Sequence, residues 1–500
     1  MFGKIQHTVT QSIALYGLLV ILILYNAFFI TYAFKKHAAF QTAGLDLGNY
    51  EQVLWNTVHG RPMALTTMQN ITSNWQIHFE PILMLIVPVY AFFPAPHTLI
   101  VLQTVTISLG AIPIFLLAKQ KLSSPMAGLT FAVVYLLFPA LQGALLFDFH
   151  AFALAATFIS WALWFLFNRH YWPVLVLTLL AMACKENVAL LVLMMGGYIA
   201  LVQRQWRWGV TIGGIGAAWF GLVNLVFIPS VSPVGENIHL ARYSQWGDSM
   251  SSVIMGVALN PLEVLRFMFS GDRLLYWVRL TMPVAFIALL NPLVLFMALP
   301  ELVINTLSTY PPNYQLDQLH YSVAIVPFVV VAGINGVARL VEFAAPKFKH
   351  VSASFLQTIL LALILFATLA YQVQFGHTPI GRYFDWPKVT EHHHQAETML
   401  AQIPSEAAVA AQNNLVTRLS QREWIFILPK LSQADQQAEY IVVDMQSPLF
   451  PYDHIENYCA DIAKFLATPE YGLIVADDGL LLFKRNAPDT ATFTPMSPCR

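Results

Sequence analysis

Charge is what this chain has least of. Only 11% of its 500 residues are Asp, Glu, Lys or Arg and 57% are hydrophobic, against roughly 25% charged residues in a soluble domain. The deficit excludes an ordinary soluble protein, and a mean hydropathy of +0.59 points to a helical polytopic membrane protein. Charge of one sign is missing too: 26 basic residues face 27 acidic ones, so nothing draws the chain to nucleic acid. Cysteine is nearly absent. Cys184, Cys459 and Cys499 make no metal pattern and no disulfide-rich framework. Cys459 and Cys499 can pair if the C-terminal region lies in an oxidising compartment, and two free thiols fit the sequence at least as well. No internal repeat is visible, so the paired halves of many transporters have no counterpart. The first apolar run lacks a small-residue cleavage site and reads as a retained first helix, not a signal peptide.

What is present is a succession of apolar runs. A membrane helix needs about 20 apolar residues, and the runs 12–33, 98–118, 125–143, 150–167, 171–184, 186–203, 208–229, 274–290, 292–307, 321–340 and 354–374 read as eleven spans. PILMLIVPVYAFFP, after Glu80, is shorter and suits a re-entrant or interfacial helix over 81–93. With Lys4 inside, Lys119, Lys121, Arg169, Arg204, Arg207, Arg339, Lys347 and Lys349 all fall on the cytoplasmic side, as the positive-inside rule requires; Lys35 and Lys36 are the exception. The expected domains are a transmembrane part, 1–375, with its first outer loop at 34–97, and an extracytoplasmic α/β domain, 376–500. In the latter VAAQ, WIFILP, EYIVVDM and GLIVADDGLLLFKR read as strands, NLVTRLSQ and IENYCADIAKFLAT as helices, and Asp478–Gly479 as a tight hairpin. His392, His393 and His394 are consecutive, cannot all face one ion from a helix, and read as an exposed linker.

The same topology gathers the reactive polar motifs on the outer face. Asp46 opens the amphipathic stretch LGNYEQVLWNTVHG and Glu80 precedes Pro81; singly, each reads equally as a helix cap or helix start. In FDFH, Asp148 and His150 face the same way only on an extended turn; Asp148 is a metal ligand or base, or a cap for the helix beginning near His150. CKEN places Lys185 and Glu186 between two apolar runs. They are either interfacial charges snorkelling to water or an anion site in which Lys185 holds a phosphate and Glu186 orients it or a neighbouring donor. Arg242, in the long loop 230–273, is a phosphate contact or a surface arginine. His320 begins a span and is a ligand contact or an interfacial anchor.

LDLGNYEQVLWNTVHGRPM, HFEPILMLIVPVYAFFPAPHTLIVLQT, FDFHAFALA, CKENVAL and LHYSVAIVPF, with AAQNNLVTRLSQRE and GLLLFKR near the C-terminus, closely resemble the DUF2079 family of bacterial and archaeal membrane proteins over nearly the whole chain. That family looks like a branch of the GT-C glycosyltransferases, which take a sugar from a polyprenyl-phosphate carrier on the outer leaflet. The resemblance implies a GT-C-like fold with a C-terminal soluble domain that helps hold the acceptor, in the cytoplasmic membrane of a bacterium or archaeon. It implies Asp46 as general base or metal ligand, Glu80 as the acid that ends the first outer loop, and Asp148 as the second-loop acid. The basic residue often found between the acid and proline of that loop is absent here. Lys185, Arg242 or a divalent cation, magnesium or manganese on Asp46 and Asp148, would stabilise the departing phosphate. The competing readings are a lipid or small-molecule transporter, which should hold ionisable groups at mid-membrane on broken helices, and a non-catalytic envelope assembly protein.

Overall fold

Proline and glycine decide where the apolar runs become helices and where they break. The computed structural model describes residues 2–347, 350–494 and 497–499; Lys349 lies outside them. Among these, five helices are long and apolar enough to cross a membrane: Thr10–Ala38, Pro96–Lys121, Trp206–Val231, Val323–Ala344 and Ala353–Phe375. Two helix pairs pass only together, Pro125–Leu136 with Pro139–Phe147, bent by 44°, and Met250–Leu259 with Pro261–Met268, bent by 94°. Each second member starts with proline in its first turn, where the fixed φ suits a helix start and the missing N–H ends the preceding hydrogen-bond ladder. Ile82–Phe92, Ala151–Phe167, Tyr171–Met182 and Val188–Leu201 are apolar but shorter.

Helix length alone therefore supports five to seven crossings where the apolar runs suggest eleven. The run 274–290 is interrupted at Ala285 and Phe286, both in left-handed backbone (φ 49° and 60°). The run 292–307 is divided into Pro292–Met297 and Leu299–Leu307. Conversely, 230–273 is not simply a loop, since it contains the sharply bent pair. The short helix expected after Glu80 is present as Ile82–Phe92.

Contacts group the chain into two units. The first comprises Met1–Ile30, His78–Ile82 and Val101–Asp385. Within it the hydropathic window of Val323–Ala344 is 89% buried, whereas that of Ala353–Phe375 is 11% buried, so one is core and the other periphery. Helices Val188–Leu201 and Trp206–Leu222 cross at a glycine contact: a Cβ on Gly196 would stand 2.3 Å from Gly213 N. That closeness fixes the helix following the CKEN turn.

The second unit comprises Thr31–Ile77, Leu83–Ile100 and Trp386–Arg500. Its five-stranded sheet is built from β1 (Val409–Ala411), β2 (Ile425–Ile427), β3 (Tyr440–Asp444), β4 (Tyr471–Asp477) and β5 (Leu480–Arg485), in the order β2-β1-β3-β5-β4. β1 runs parallel to β2 and β3, with Val409 opposite Ile425 and Tyr440. β5 is antiparallel to β3 and β4. Asp478 and Gly479 carry φ of 45° and 82°, the geometry a two-residue hairpin needs. Every residue of β1, β2 and β3 is buried, as near-continuous apolar strands covered on both faces should be. Helices Asn413–Leu419 and Ile455–Ala467 fall on the two segments expected to be helical.

One question the sequence left open is answered and one expectation changes. Cys459 and Cys499 form a disulfide. The three histidines lie in helix Glu391–Leu400, not a linker, and His392 is held between Asp444 and Asp478.

Candidate functional site

In the first unit, Cys184–Asn187 forms the turn between helices Tyr171–Met182 and Val188–Leu201. Glu186 is buried there, with Oε1 3.1 Å from His78 Nδ1, while Phe79 N–H donates to Oε2 at 3.2 Å. Burial pulls this carboxyl upward, but the charge and hydrogen bond of His78, helped by Lys185, outweigh it and hold the group at about 2. The His78 ring stacks on His239, centroids 4.8 Å apart. Burial first, then the charges of His78, Arg242 and Lys185, push His239 well below its ordinary value, so it is neutral. Asn187 Nδ2 donates to the buried Glu301 at 2.6 Å.

The two cations are presented by aromatic rings. The Lys185 ammonium lies 5.0 Å from the Phe152 ring centre and 5.7 Å from that of Tyr321. The Arg242 guanidinium lies 4.3 Å from the Tyr310 ring centre, and its NH1 is 3.5 Å from the Tyr321 hydroxyl. Among the described residues neither cation has a carboxylate within ion-pair distance. Each therefore keeps charge and donors that the protein itself does not consume.

A cavity of about 440 Å³ opens among these groups, within the range of small-molecule sites. Its polar lining includes His78, Lys185, Glu186, His239, Arg242 and Glu301; the rest is largely apolar, with Val253, Ile254 and Val257 contributed by the first arm of the bent pair. Three buried polar atoms of lining residues, His239 Nε2, Asn187 Oδ1 and Asn313 Oδ1, have no hydrogen-bond partner among the described residues. Buried donors and acceptors left unmet at a cavity wall are positions where a ligand can complete the bonding.

Beside it lies a histidine stack. His150 and His320 rings are 3.6 Å apart, and His320 packs against Tyr321, which lines the cavity. Burial, then the charges of His150, Lys185, His78 and Arg242, push His320 well down. The backbone of FDFH is extended, with Asp148 at φ −161° and ψ −178°. Gln103 grips it with both ends of its amide, donating to Asp148 O (3.1 Å) and accepting from His150 N–H (2.7 Å). The cap position of the following helix is occupied by His150, not Asp148, and His150 Nδ1 lies 3.3 Å from Asp148 O. Glu80 is buried in the segment whose Ile82 N–H donates to Ala183 O at 2.9 Å, beside the CKEN turn.

Asp46 belongs to the second unit. It sits inside a π-helical turn, Gly44–Gly48, and is neither of the adjoining N-cap residues, Ala43 and Gly48; single π turns recur at functional sites. Gly44 lets this turn approach helix Asn413–Leu419: a Cβ there would stand 2.7 Å from Val416 Cβ and 2.8 Å from Asn413 O. Asn413 Oδ1 accepts the Leu45 N–H at 3.0 Å, so Asp46 is held on a fixed, half-buried turn.

Of the sequence candidates, then, Lys185, Glu186 and Arg242 line the cavity, whereas Glu80, Asp148, His150 and His320 are buried in the same unit without lining it. His78, His239 and Glu301 were not singled out by sequence. Glu301 carried a usable signal, an acid inside the apolar run ALPELVINTL; the histidines carried none beyond their presence. Among the described residues no group of three or more His, Cys, Asp or Glu side chains is arranged to hold a metal ion.

The fold is similar to that of a solved membrane protein. ArnT from Cupriavidus metallidurans bound to undecaprenyl phosphate aligns with a TM-score of 0.52 at 14% identity, over 93% of this chain and 97% of that one. The archaeal oligosaccharyltransferase of Archaeoglobus fulgidus, in complex with zinc and sulfate, aligns at 0.44 and 12% identity, over 88% and 69%. At 14% identity the likeness to ArnT speaks for fold alone. The chain belongs to the DUF2079 family of predicted membrane proteins, whose model matches residues 36–482. A sequence comparison with curated proteins gives no match.

Proposed function

We propose that this protein is a multi-pass membrane glycosyltransferase that moves a sugar from a polyprenyl-phosphate carrier to an acceptor on the outer face of the cytoplasmic membrane. The carrying observation is the cavity: cations with no carboxylate at ion-pair distance among the described residues at its polar wall, and an apolar remainder to which the first arm of the bent helix pair contributes. Such a lining suits a ligand with an anionic head and a hydrocarbon tail. In this reading Lys185 and Arg242 hold the phosphate, neutral His239 donates or accepts at its free nitrogen, and Glu186 is spent orienting His78. Asp46, on its fixed turn, takes the proton of the acceptor hydroxyl. The new bond forms from that oxygen to the anomeric carbon as the bond from carbon to phosphate oxygen breaks, and polyprenyl phosphate leaves carrying the electron pair. The fold likeness to a protein bound to undecaprenyl phosphate supports this choice of carrier. The reading includes eleven crossings, a cytoplasmic N-terminus and an extracytoplasmic C-terminal domain, which the Cys459–Cys499 disulfide supports because such bonds persist outside the cytoplasm.

The test is retention of polyprenyl phosphate by the purified protein, together with transfer from a polyprenyl-phosphate sugar. Lys185→Met and Arg242→Ala should each lower both by about 100-fold, the scale of losing one preorganised charge donor. Asp46→Asn should abolish transfer and leave retention intact. Full retention by the Lys185→Met, Arg242→Ala double variant would end the proposal.

A further inference from the structure

We infer that a second cavity, formed wholly within the second unit, binds a neutral saccharide. It measures about 560 Å³ and lies between the loop 56–72 and the segment 423–434. Only the added step, that this saccharide is the acceptor of transfer, rests on the reading above.

The walls are preassembled. Thr66 Oγ1 donates to Ile425 O (2.9 Å) and accepts from Ile425 N–H (3.0 Å), and Ile427 N–H donates to Thr67 O (3.2 Å). Gln52 ties the same parts, donating to Thr66 Oγ1 at 2.7 Å and Glu423 O at 3.0 Å while accepting from Thr66 N–H at 2.9 Å. Because β2 is an edge strand, this loop also occupies the edge on which an extended peptide would add. Strand addition is thereby excluded as the binding mode.

The charges in the cavity are already used. The Lys430 ammonium donates to Thr66 O (2.8 Å), Met68 O (2.7 Å) and Gln433 Oε1, filling its three donors. Arg61 gives Nε to Asn56 Oδ1 at 2.8 Å and pairs with Glu423 at 3.5 Å. Among the described residues that line this cavity, both cations have protein partners, Arg61 a carboxylate among them, in contrast with Lys185 and Arg242.

What remains is neutral and bifunctional. Gln69, Asn70, Thr72 and Ser432 supply amides and hydroxyls that both donate and accept, and Trp424 supplies an aromatic surface. A pyranose presents the matching set: vicinal hydroxyls at its edge and an apolar C–H face that packs on an aromatic ring. An apolar ligand would leave the amides unmet, and an anion would find no free charge.

The experiment uses the full chain in detergent micelles and a panel of neutral methyl pyranosides and disaccharides, read by saturation-transfer NMR and tryptophan fluorescence. Inorganic phosphate and a short uncharged peptide are the comparison ligands. At least one neutral saccharide should bind, and Trp424→Ala should weaken it by about tenfold or more, as truncating an aromatic anchor does. Gln69→Ala, at an exposed position that disturbs no wall contact, should weaken it as well and serves if Trp424→Ala does not fold. Absence of binding across the panel, binding untouched by both substitutions, or preference for phosphate or peptide would overturn the inference. Saccharide binding without retention of polyprenyl phosphate would retire the transferase reading and keep this one.

Discussion

Arg422 and Lys430 in the second unit are buried to 6% and 8% exposure, close to Glu186 at 5% and Glu301 at 2% in the first. Their surroundings differ. Arg422 donates Nε to Leu419 O (2.6 Å) and NH1 to Ala407 O (2.8 Å) and Pro404 O (3.3 Å). Lys430 is similarly finished by three acceptors. Around Glu186 and Glu301 the bonding stops short among the described residues, at His239 Nε2, Asn187 Oδ1 and two cations with no carboxylate at ion-pair distance. Buried charge whose bonds close within the chain is scaffolding; buried charge that faces a cavity with ends open is arranged for something to arrive. Burial alone does not separate the two cases, and the accounting of donors and acceptors does.

The largest effect should come from breaking the one closed pair inside the open site. Glu186→Ala leaves His78 and the Phe79 N–H without their acceptor, and removing one partner of a buried pair costs about 3–5 kcal/mol. Glu186 is held at about 2, so its contribution is complete above the ordinary carboxyl value and lost as pH falls through about 2. Unfolding of the micellar protein near neutral pH should show the full loss. A loss as small as that of a surface substitution would place Glu186 with the open groups instead.

The second unit holds an exception that sharpens the rule. Glu51 is fully buried, and Oε1 accepts from Tyr90 OH and Gln421 Nε2, both at 2.6 Å, but Oε2 has no partner among the described residues. Burial raises this carboxyl to about 7, against the hydrogen bonds from Tyr90 and Gln421. The folded state thus binds a proton that the unfolded state gives up near 4.5, and stability falls as pH rises from there to about 7. Glu51→Gln keeps an acceptor and removes the charge. It should stabilise the protein above pH 7 by up to about 3 kcal/mol, with little effect in acid. Equal effects at both ends would show that no proton is involved.

The sequence made some of this plain and hid the rest for physical reasons. The strands of the C-terminal sheet were legible because short β-branched and aromatic runs are bounded by turn residues, and Asp478–Gly479 marked its hairpin. Lys185 and Glu186 were legible because charge inside an apolar run is costly. The helix breaks were not, since hydropathy averages over Pro139, Pro261 and the left-handed pair Ala285–Phe286. PLEVLRFM escaped because its charged residues dilute the apolar face that makes it the second arm of a bent pair. Asp46 has the residue type of a helix cap, but it lies inside the π turn Gly44–Gly48, whose N-cap is Ala43. His78 and His239 could not be found, because only the fold stacks residues so far apart in sequence.

The smallest effect belongs to His392, the most closed site of all. Its Nε2 lies 3.0 Å from Asp444 Oδ1 and its Nδ1 2.9 Å from Asp478 Oδ2. Both ring nitrogens donate, which only the imidazolium can do. Burial opposes the charge, but the hydrogen bonds and charges of Asp478 and Asp444 prevail, and the ring is raised above its ordinary 6.5. The clamp is therefore complete below pH 6.5 and is lost as pH rises through the raised value. Because Asp478 is half exposed, solvent screens one arm, and His392→Asn should cost no more than about 1 kcal/mol. That cost should appear in mildly acidic buffer and vanish in alkaline buffer, measured as the difference in unfolding midpoint between the two proteins. A cost independent of pH would mean that helix Glu391–Leu400 is held by packing alone, and would remove His392 from the set of charges whose bonds close within the chain.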